Sequence, residues 1–424
     1  MFSSKGWGAK KALEFLGLTF LSLLFVISFQ SKALINIFFL LSFVTSIIYI
    51  AFFNKAFFRE KKYVWLFIGP YISGFILGFF SENGVIGSIE FLQQFRFMII
   101  ILPLACFVKS KKEMIFLLIM VYASAFIAIF YGIYKNQPYG GFHGFHSIGR
   151  TADMLVVLLL ASLAYIIQSR FTFNLRSNIG KLILLGTALT LAWAVLMTEM
   201  RGAWLGVFIG VCFIIIGLFF LKQRWLAFSL LLLIMLSSVT FLKTYDNIDT
   251  IKNQIASIAD TQNDISNKTR LNLWKTGWDF SKEQFIFGTG AKQASALYKN
   301  FYDKQDDSYK AKYHYVIHHM GDYHNSYLQI HVETGIIFFI IYITSMAVCL
   351  LYFIKRIQKI PFEDRKYPLA ALVSSLAFLS IQFFHSELYS YGSTTFYLIL
   401  FAALYILNEN DKVPSLQKGL KDEK

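Results

Sequence analysis

Long apolar runs separated by short polar segments dominate the sequence. A helix needs about 20 mostly apolar residues to cross a bilayer, and twelve runs approach or reach that length. The pattern therefore predicts an all-α polytopic membrane protein with about twelve transmembrane helices. The predicted spans cover residues 12–29, 33–53, 63–81, 92–108, 114–134, 152–169, 182–199, 202–221, 225–243, 326–354, 368–385 and 394–408.

One polar segment, residues 244–324, is much longer than the others. It contains two amphipathic stretches, near 246–260 and 268–283, and the second places Leu271, Trp274 and Trp278 on one helical face. We expect two helices there that form a cap on the membrane surface. The predicted organisation is nine spans in 1–243, the loop domain in 244–324, three spans in 325–408 and a tail in 409–424.

Composition excludes a soluble enzyme and a disordered chain. Of the 424 residues, 56% are hydrophobic and only 15% are charged, whereas a soluble domain has about a quarter charged residues. The three cysteines all lie inside apolar runs, so they predict neither a disulfide framework nor a metal site. The first apolar run has no small-residue cleavage site after it, so we expect it to be retained as a span.

The basic residues predict the orientation. Alternate polar segments carry 24 of the 40 Lys and Arg residues, and by the positive-inside rule these segments are cytoplasmic. Both termini then lie in the cytoplasm, and the net charge of +15 reflects this bias and not a nucleic-acid partner. Of the other sixteen basic residues, ten lie in the segment 244–324. The last six lie at the outer ends of spans or in short outer loops, against the rule: Lys32, Arg96, Lys135, Arg150, Arg201 and Lys243.

Four arginines on the predicted outer side suggest phosphate chemistry. A planar guanidinium binds phosphate through two parallel hydrogen bonds, so a group of arginines can hold a diphosphate and stabilise it as a leaving group. Outer acidic residues are scattered and form no metal-binding pair, and no Gly-rich nucleotide loop is present. We expect neither a metal nor another cofactor. The candidate diphosphate-binding residues are Arg96, Arg150, Arg201 and Arg270.

A histidine where the long loop re-enters the membrane is the candidate base. His324 faces the same predicted compartment as the arginines, and a neutral imidazole there can deprotonate a sugar hydroxyl. Asn325, His146 and His319 are secondary candidates. Glu333 is a further one, although the favoured interpretation is a buried structural carboxylate that bonds to neighbouring amides or to a basic residue. Six histidines, His146 and His319 among them, are expected to have structural or substrate-contacting roles: His143, His146, His314, His318, His319 and His331.

Three motifs together resemble the superfamily of O-antigen ligases (WaaL) and O-antigen polymerases. They are the turn Arg201-Gly202-Ala203-Trp204-Leu205, the Arg270-bearing helix of the long outer loop, and the pattern His324-Asn325-x-x-Leu328-x-x-x-x-Glu333-x-Gly335 that enters the next span. Length, span number and the single large loop are most similar to the ligases. The sequence departs from the family pattern at Met200, where Ser is common, and at Phe338, where Gly is expected.

The resemblance implies a fold of the membrane glycosyltransferase C type and a metal-independent, inverting reaction. Arg201, Arg270 and His324 match the catalytic positions of the family. The donor would be a glycan on undecaprenyl diphosphate, and the acceptor a sugar hydroxyl of lipid A–core. The protein would lie in the bacterial inner membrane among its lipids, with the active site facing the periplasm.

Other functions remain open from the sequence. An O-antigen polymerase or a protein O-oligosaccharyltransferase would use the same donor and differ in the acceptor. A transporter for an anionic lipid also suits twelve spans, but it predicts ionisable residues within spans and an internal repeat. The spans are almost free of charge and no repeat is evident, so the sequence favours an enzyme.

Overall fold

A computed structural model describes residues 3–135, 144–168, 175–229, 232, 264–314, 316, 322–386 and 388–422. These residues are helical, without strands, as the apolar pattern predicts. The first membrane part contains α1 Ser3–Val26, α2 Lys32–Phe53, α3 Phe57–Glu60, α4 Trp65–Gly78, α5 Gly84–Gln94, α6 Ile101–Phe107, α7 Lys111–Lys135, α8 Ile148–Ile167, α9 Leu175–Met197 and α10 Arg201–Phe220.

The long polar segment and the last membrane part follow. The loop contains α11 Ile265–Ser281, α12 Ala294–Asp303 and α13 Asp307–Tyr313, and the membrane part contains α14 Ser326–Ile357, α15 Lys366–Ile381 and α16 Ser393–Asp422. Short 3-10 turns lie at Lys62–Val64, Arg96–Ile100 and Phe362–Asp364. The predicted loop helix at 268–283 is present as α11. The predicted helix at 246–260 and most of the predicted span 225–243 lie outside the described residues.

Six described helices are long and apolar enough to cross a membrane, namely α2, α7, α8, α9 from Asn178, α10 and α14. A seventh span is possible where α5 and the segment Arg96–Phe107 meet at a bend of 49°. The protein is therefore a multi-pass helical membrane protein. Twelve spans stay a prediction, because α4 and α15 are only 14 and 16 residues long. The glycosyltransferase C fold also stays a prediction.

The centre of the bundle is formed by α8, α15 and α16. In α8, 72% of the apolar stretch is buried inside the protein, against 22–39% in the other five candidate spans. The apolar run 394–408 is short, yet residues 394–407 are almost entirely buried against α15, α8 and α7. Peripheral helices such as α2 and α9 instead expose large apolar side chains, as helices that face lipid do.

The helix ends segregate into two sets. Contacts such as Lys111–Asp364, Gln168–Gln223 and Tyr405–Lys109 join one set, which we call the basic end because it carries the basic segments. The starts of α8, α10, α14 and α16 and the end of α15 meet at the opposite end, which we call the site end. This separation agrees with the alternation of basic segments along the chain.

A second hydrophobic core lies in the long loop. Aromatic residues of α11, α12 and α13 pack on each other, on Tyr323 and on the start of α14. They include Phe280, Tyr298, Phe301 and Tyr313. Burial raises the pKa of Tyr298 to about 12, so this hydroxyl stays neutral. The loop is thus a small helical cap at the site end. Of the stripe predicted for it, Trp274 packs on this core, whereas Leu271 and Trp278 are exposed.

The cap is fastened to the bundle by residues Phe285–Gly290, which run along a break in α14. Gly335 interrupts that helix with φ 72° and ψ 174°, a conformation that is essentially restricted to glycine. The freed backbone bonds to the loop: Ile336 N donates to the Phe285 carbonyl, and Thr289 N and Gly290 N donate to the carbonyls of Val332 and Glu333, each at 2.9 Å. We call this junction the hook.

Candidate active site

Arg201 opens α10 at the site end and bonds to the cap. Its guanidinium meets the Asp264 carboxylate at 3.1 Å and 3.4 Å through two nitrogens. Asp264 is also the N-cap of α11 and accepts a hydrogen bond from Asn267 N at 2.8 Å. Because Arg201 and the Asn267 amide both bond to it, the pKa of the Asp264 carboxyl lies below its usual value. The pair therefore joins the arginine turn to the Arg270-bearing helix.

Arg201 and Arg270 line the same small pocket, which has a volume of about 50 Å³ and opens at the site end. The other lining residues are Gly202, Leu205, Asn267 and Phe384. Burial and the neighbouring Arg201 both lower the pKa of Arg270. Two guanidinium groups this close repel each other, so an anion that binds between them is stabilised by both.

His324 lies at the junction of the cap and α14, in a left-handed backbone conformation with φ 48°. Its Nδ1 is 3.8 Å from the Asp322 carboxylate, which also accepts a hydrogen bond from His324 N. The imidazole is half exposed and accessible to a substrate. A non-glycine residue held in this backbone region is uncommon and is frequently found at functional sites.

The histidine junction is tied to the arginine pocket through α11 and the turn after α15. Trp274, one helical turn beyond Arg270, donates from Nε1 to the Tyr323 carbonyl at 3.1 Å. The same indole packs on the Phe384 ring at 6.2 Å, and Phe384 lines the pocket. One region of the site end is therefore surrounded by Arg201, Arg270 and the segment that carries His324.

The candidate Asn325 has a structural role. It accepts hydrogen bonds from Tyr327 N and Leu328 N, so it is the N-cap of α14.

Arg150 and His146 form a second basic group at the start of α8, and both contact Tyr391. The Arg150 guanidinium lies 5.2 Å from the ring centre and bonds to the Tyr391 hydroxyl at 3.3 Å. The His146 ring packs on the same tyrosine at 4.7 Å. Burial, with the neighbouring positive charge of Arg150, lowers the pKa of His146 to about 4. His146 is therefore neutral near pH 7.

A buried histidine–aspartate pair, which the sequence analysis missed, links these groups. His385 Nδ1 lies 2.8 Å from the Asp153 carboxylate, and both side chains are almost fully buried. The imidazole packs between two glycines. A Cβ built on Gly202 lies 3.3 Å from its Nε2, and one on Gly149 lies 3.8 Å from its Cε1. His385 thus lies between the helix starts that carry Arg201 and Arg150.

The second carboxylate oxygen of Asp153 extends this network to the histidine junction. It accepts a hydrogen bond from Gln382 Nε2 at 3.2 Å, and Gln382 Oε1 accepts one from Ser326 Oγ at 2.9 Å. Ser326 is the first residue of α14, two positions after His324. An ionisable residue in a spanning helix is a signal of function, and Asp153 in the run 152–169 was that signal.

Two other candidates lie elsewhere. Arg96 bonds through two nitrogens to Asn36, at 2.7 Å and 3.2 Å, and to the Gln93 carbonyl, outside the lining of the arginine pocket. Glu333 is buried and accepts hydrogen bonds from Gln94 and Gln329, each at 2.7 Å. Bonding to amides is one of the two arrangements expected for Glu333. It joins α5 to the helix turn beside the hook.

The remaining histidines differ in their placement. His331 packs between aromatic rings, including Trp278 and Phe285. His314 is exposed and is the C-cap of α13. His143, His318 and the candidate His319 lie outside the described residues. In the part of the chain that the structure describes, no three side chains of His, Cys, Asp or Glu converge as a metal site.

The fold and the site define a multi-pass helical membrane protein with an arginine-lined pocket and a histidine junction beneath a helical cap. Residues 186–343 match the family model Wzy_C, described as O-antigen ligase. The matched segment contains Arg201, Arg270, His324 and Glu333, so the resemblance to the O-antigen ligase and polymerase superfamily is confirmed there. No curated protein matches the chain.

Proposed function

We propose that this protein is an O-antigen ligase, which transfers a glycan from undecaprenyl diphosphate to a sugar hydroxyl of lipid A–core. The family match supports O-antigen ligase or polymerase activity in general. The observation that carries the proposal is the pocket that Arg201 and Arg270 share beside the His324 junction. Asp264 pairs with Arg201 beside this pocket, and a diphosphate ester would add negative charge that faces both guanidinium groups.

In the proposed reaction the acceptor hydroxyl attacks the anomeric carbon of the glycan from the face opposite the diphosphate. The new carbon–oxygen bond forms as the bond between the anomeric carbon and the diphosphate oxygen breaks. His324 accepts the hydroxyl proton, and the Asp322 carboxylate, 3.8 Å from Nδ1, stabilises the positive charge that the imidazole gains. Undecaprenyl diphosphate leaves with the bonding electron pair, and its charge is stabilised by Arg201 and Arg270. The product has inverted anomeric configuration.

Arg150, His385 and Asp153 are assigned supporting roles. Arg150 lies beside Gly149, which contacts His385, so it is placed to bind the diphosphate from the α8 side. The Asp153–His385 pair lies between the two helix starts and positions them. Arg96 bonds to Asn36 and to the Gln93 carbonyl, so we assign it no role in the chemical step.

The experiment that tests this function uses purified protein, lipid-linked glycan, lipid A–core and excess EDTA, with products separated on a gel. A single shift of lipid A–core that persists in EDTA supports a metal-independent ligase. A growing ladder on the undecaprenyl carrier would instead identify a polymerase, and modification of an added acceptor protein would identify a protein O-oligosaccharyltransferase.

The residue roles are tested with Arg201→Ala, Arg270→Ala and His324→Asn. Asparagine tolerates a left-handed backbone, so His324→Asn removes the base without disturbing φ at that position. We expect transfer to fall about 10²–10³-fold for each arginine and about 10²–10⁴-fold for His324→Asn.

Lys275→Ala is the matched control for these variants, because Lys275 lies on the same helix as Arg270 but is exposed and pairs with Asp279. It should retain full transfer. Full transfer by Arg201→Ala or His324→Asn would remove the role assigned to that residue.

A further inference from the structure

A large apolar groove lies in the half of the bundle nearest the basic end, away from the candidate active site. It has a volume of about 480 Å³, within the 300–1,000 Å³ of typical small-molecule pockets. The floor is formed by α8, α15 and α16, and the sides by α7 and α9. Its lining is almost entirely apolar, with residues such as Leu118, Ile183 and Ile399.

The groove opens towards the lipid. The large side chains of Ile119 and Ile183, on its two sides, are exposed at the protein surface. On α9, Gly180 leaves further space, since a Cβ built there meets no heavy atom within 4 Å. A flexible hydrocarbon chain can therefore enter sideways from the bilayer.

The rim at the basic end is aromatic and positively charged. Tyr165 and Tyr367 line the groove, and their rings meet edge to face at 5.7 Å. Lys366 Nζ lies 4.1 Å from the Tyr165 ring centre, and Lys111 Nζ lies 5.3 Å from that of Tyr367. Tyrosine and lysine at a helix end are typical of the level of lipid headgroups.

The two lysines differ in their ionic partners. Lys111 pairs with Asp364 at 2.8 Å. Within the described residues no carboxylate pairs with Lys366, which lies over the two tyrosine rings. The positive charge at the rim is therefore available to an anionic group.

We propose that this groove binds an anionic phospholipid of the leaflet at the basic end, with an acyl chain in the groove and the headgroup phosphate beside Lys366. Apolar volume and lateral opening suit the acyl chain, and the cationic rim suits an acidic headgroup. The site is independent of the proposed transferase activity, because it lies at the end opposite the arginine pocket.

The test compares retention of two lipids by the full-length protein in detergent, measured by native mass spectrometry. Phosphatidylglycerol and phosphatidylcholine with identical acyl chains are supplied in equal amounts. We expect the protein to retain phosphatidylglycerol preferentially. Equal retention would overturn the proposal, and this comparison requires no variant. If undecaprenyl phosphate displaces phosphatidylglycerol at lower concentration, the proposed occupant is wrong.

Two pairs of variants locate the site. Gly180→Leu fills the groove, whereas Gly186→Leu adds the same side chain to the same helix at another open position outside the lining. Lys366→Gln removes the rim charge, whereas Lys55→Gln removes an exposed charge following α2.

We expect retention of phosphatidylglycerol to fall about fivefold in Lys366→Gln, the effect of one basic residue near an anionic headgroup. Retention should also fall in Gly180→Leu and stay unchanged in both controls and in Lys366→Arg. Unchanged retention in Gly180→Leu would place the bound lipid elsewhere.

Discussion

His385 and Asp153 are far apart in the chain, yet they form an almost fully buried ionisable pair beside the candidate active site. The carboxylate orients the imidazole through Nδ1, as carboxylates do for catalytic and metal-bound histidines. Through Gln382 it also reaches Ser326 at the start of α14. One buried carboxyl group therefore connects the helix starts at Arg150 and Arg201 with the start of α14, which follows His324.

For Asp153→Asn we expect a fall in turnover of about 10²-fold, with donor KM little changed, because small displacements of reacting groups have effects of this size. The measurement is the steady-state rate of transfer to lipid A–core against donor concentration. Ser162→Ala is the control, since Ser162 is a buried polar residue of the same helix that bonds to Tyr122 instead. Wild-type turnover in Asp153→Asn would show that the pair does not position the site.

The pH dependence of stability should report on His146. Its pKa is about 4 in the folded protein and about 6.5 in an unfolded chain. Between these values the unfolded state binds more protons, so stability falls as the pH drops from about 6.5 to about 4. Thermal unfolding measured at pH 7 and pH 4.5 should therefore show a smaller loss of Tm in His146→Gln than in the wild type. The variant His314→Gln changes an exposed histidine, so its Tm should fall between these pH values by as much as the Tm of the wild type.

At the scale of elements, the break in α14 determines how the cap is held. A continuous helix would satisfy its own backbone groups, and the hook would have no partners. Gly335 opens the helix, and the freed carbonyls and amide bond to residues Phe285–Gly290. Gly288, with φ 75°, approaches so closely that a Cβ there would lie 2.5 Å from the Glu333 carbonyl. Two glycines thus allow the loop and the broken helix to pair.

Gly335→Ala should destabilise the protein severely. A Cβ at this position would lie 2.1 Å from the Ile286 carbonyl oxygen, and the backbone conformation itself costs a non-glycine residue about 1–3 kcal/mol. We expect a lower Tm and faster proteolysis of the cap in detergent. Gly186→Ala, at an open position of α9, should behave as the wild type. A wild-type Tm in Gly335→Ala would contradict the role of the hook.

At the scale of the whole molecule, the two sets of helix ends imply two sides of a membrane. We propose that the basic end is cytoplasmic and the site end periplasmic, following the charge bias. Single cysteines at Lys55 and at Lys304, an exposed residue following α12, can be labelled with a membrane-impermeant maleimide. Two of the three native cysteines are buried and the third is partly buried, which limits background labelling.

In spheroplasts we expect labelling of Lys304→Cys and no labelling of Lys55→Cys until the cells are lysed. The reverse labelling pattern would show that the basic end is periplasmic and the site end cytoplasmic. Labelling of both positions in intact spheroplasts would show that the two ends do not lie on opposite sides of the membrane.

The sequence by itself determined the helical membrane class, the loop helix predicted at 268–283 and the identity of Arg201, Arg270 and His324 as candidates. These features depend on local properties: apolar length, helical periodicity and short motifs. Span number was harder to predict, because α4 and α15 are short and the central helix α16 has only a short apolar run. A helix buried by its neighbours does not need the length that lipid exposure requires.

Only the tertiary structure decided which polar residues meet. Arg96 resembles Arg201 in its position at a predicted helix end, yet it bonds to Asn36 while Arg201 lines the pocket with Arg270. His385 belongs to no motif and acquires its place from Asp153, 232 residues away in the chain. The apolar groove combines residues of five helices. Contacts between distant segments depend on how whole helices pack, and a local pattern in the sequence does not contain that information.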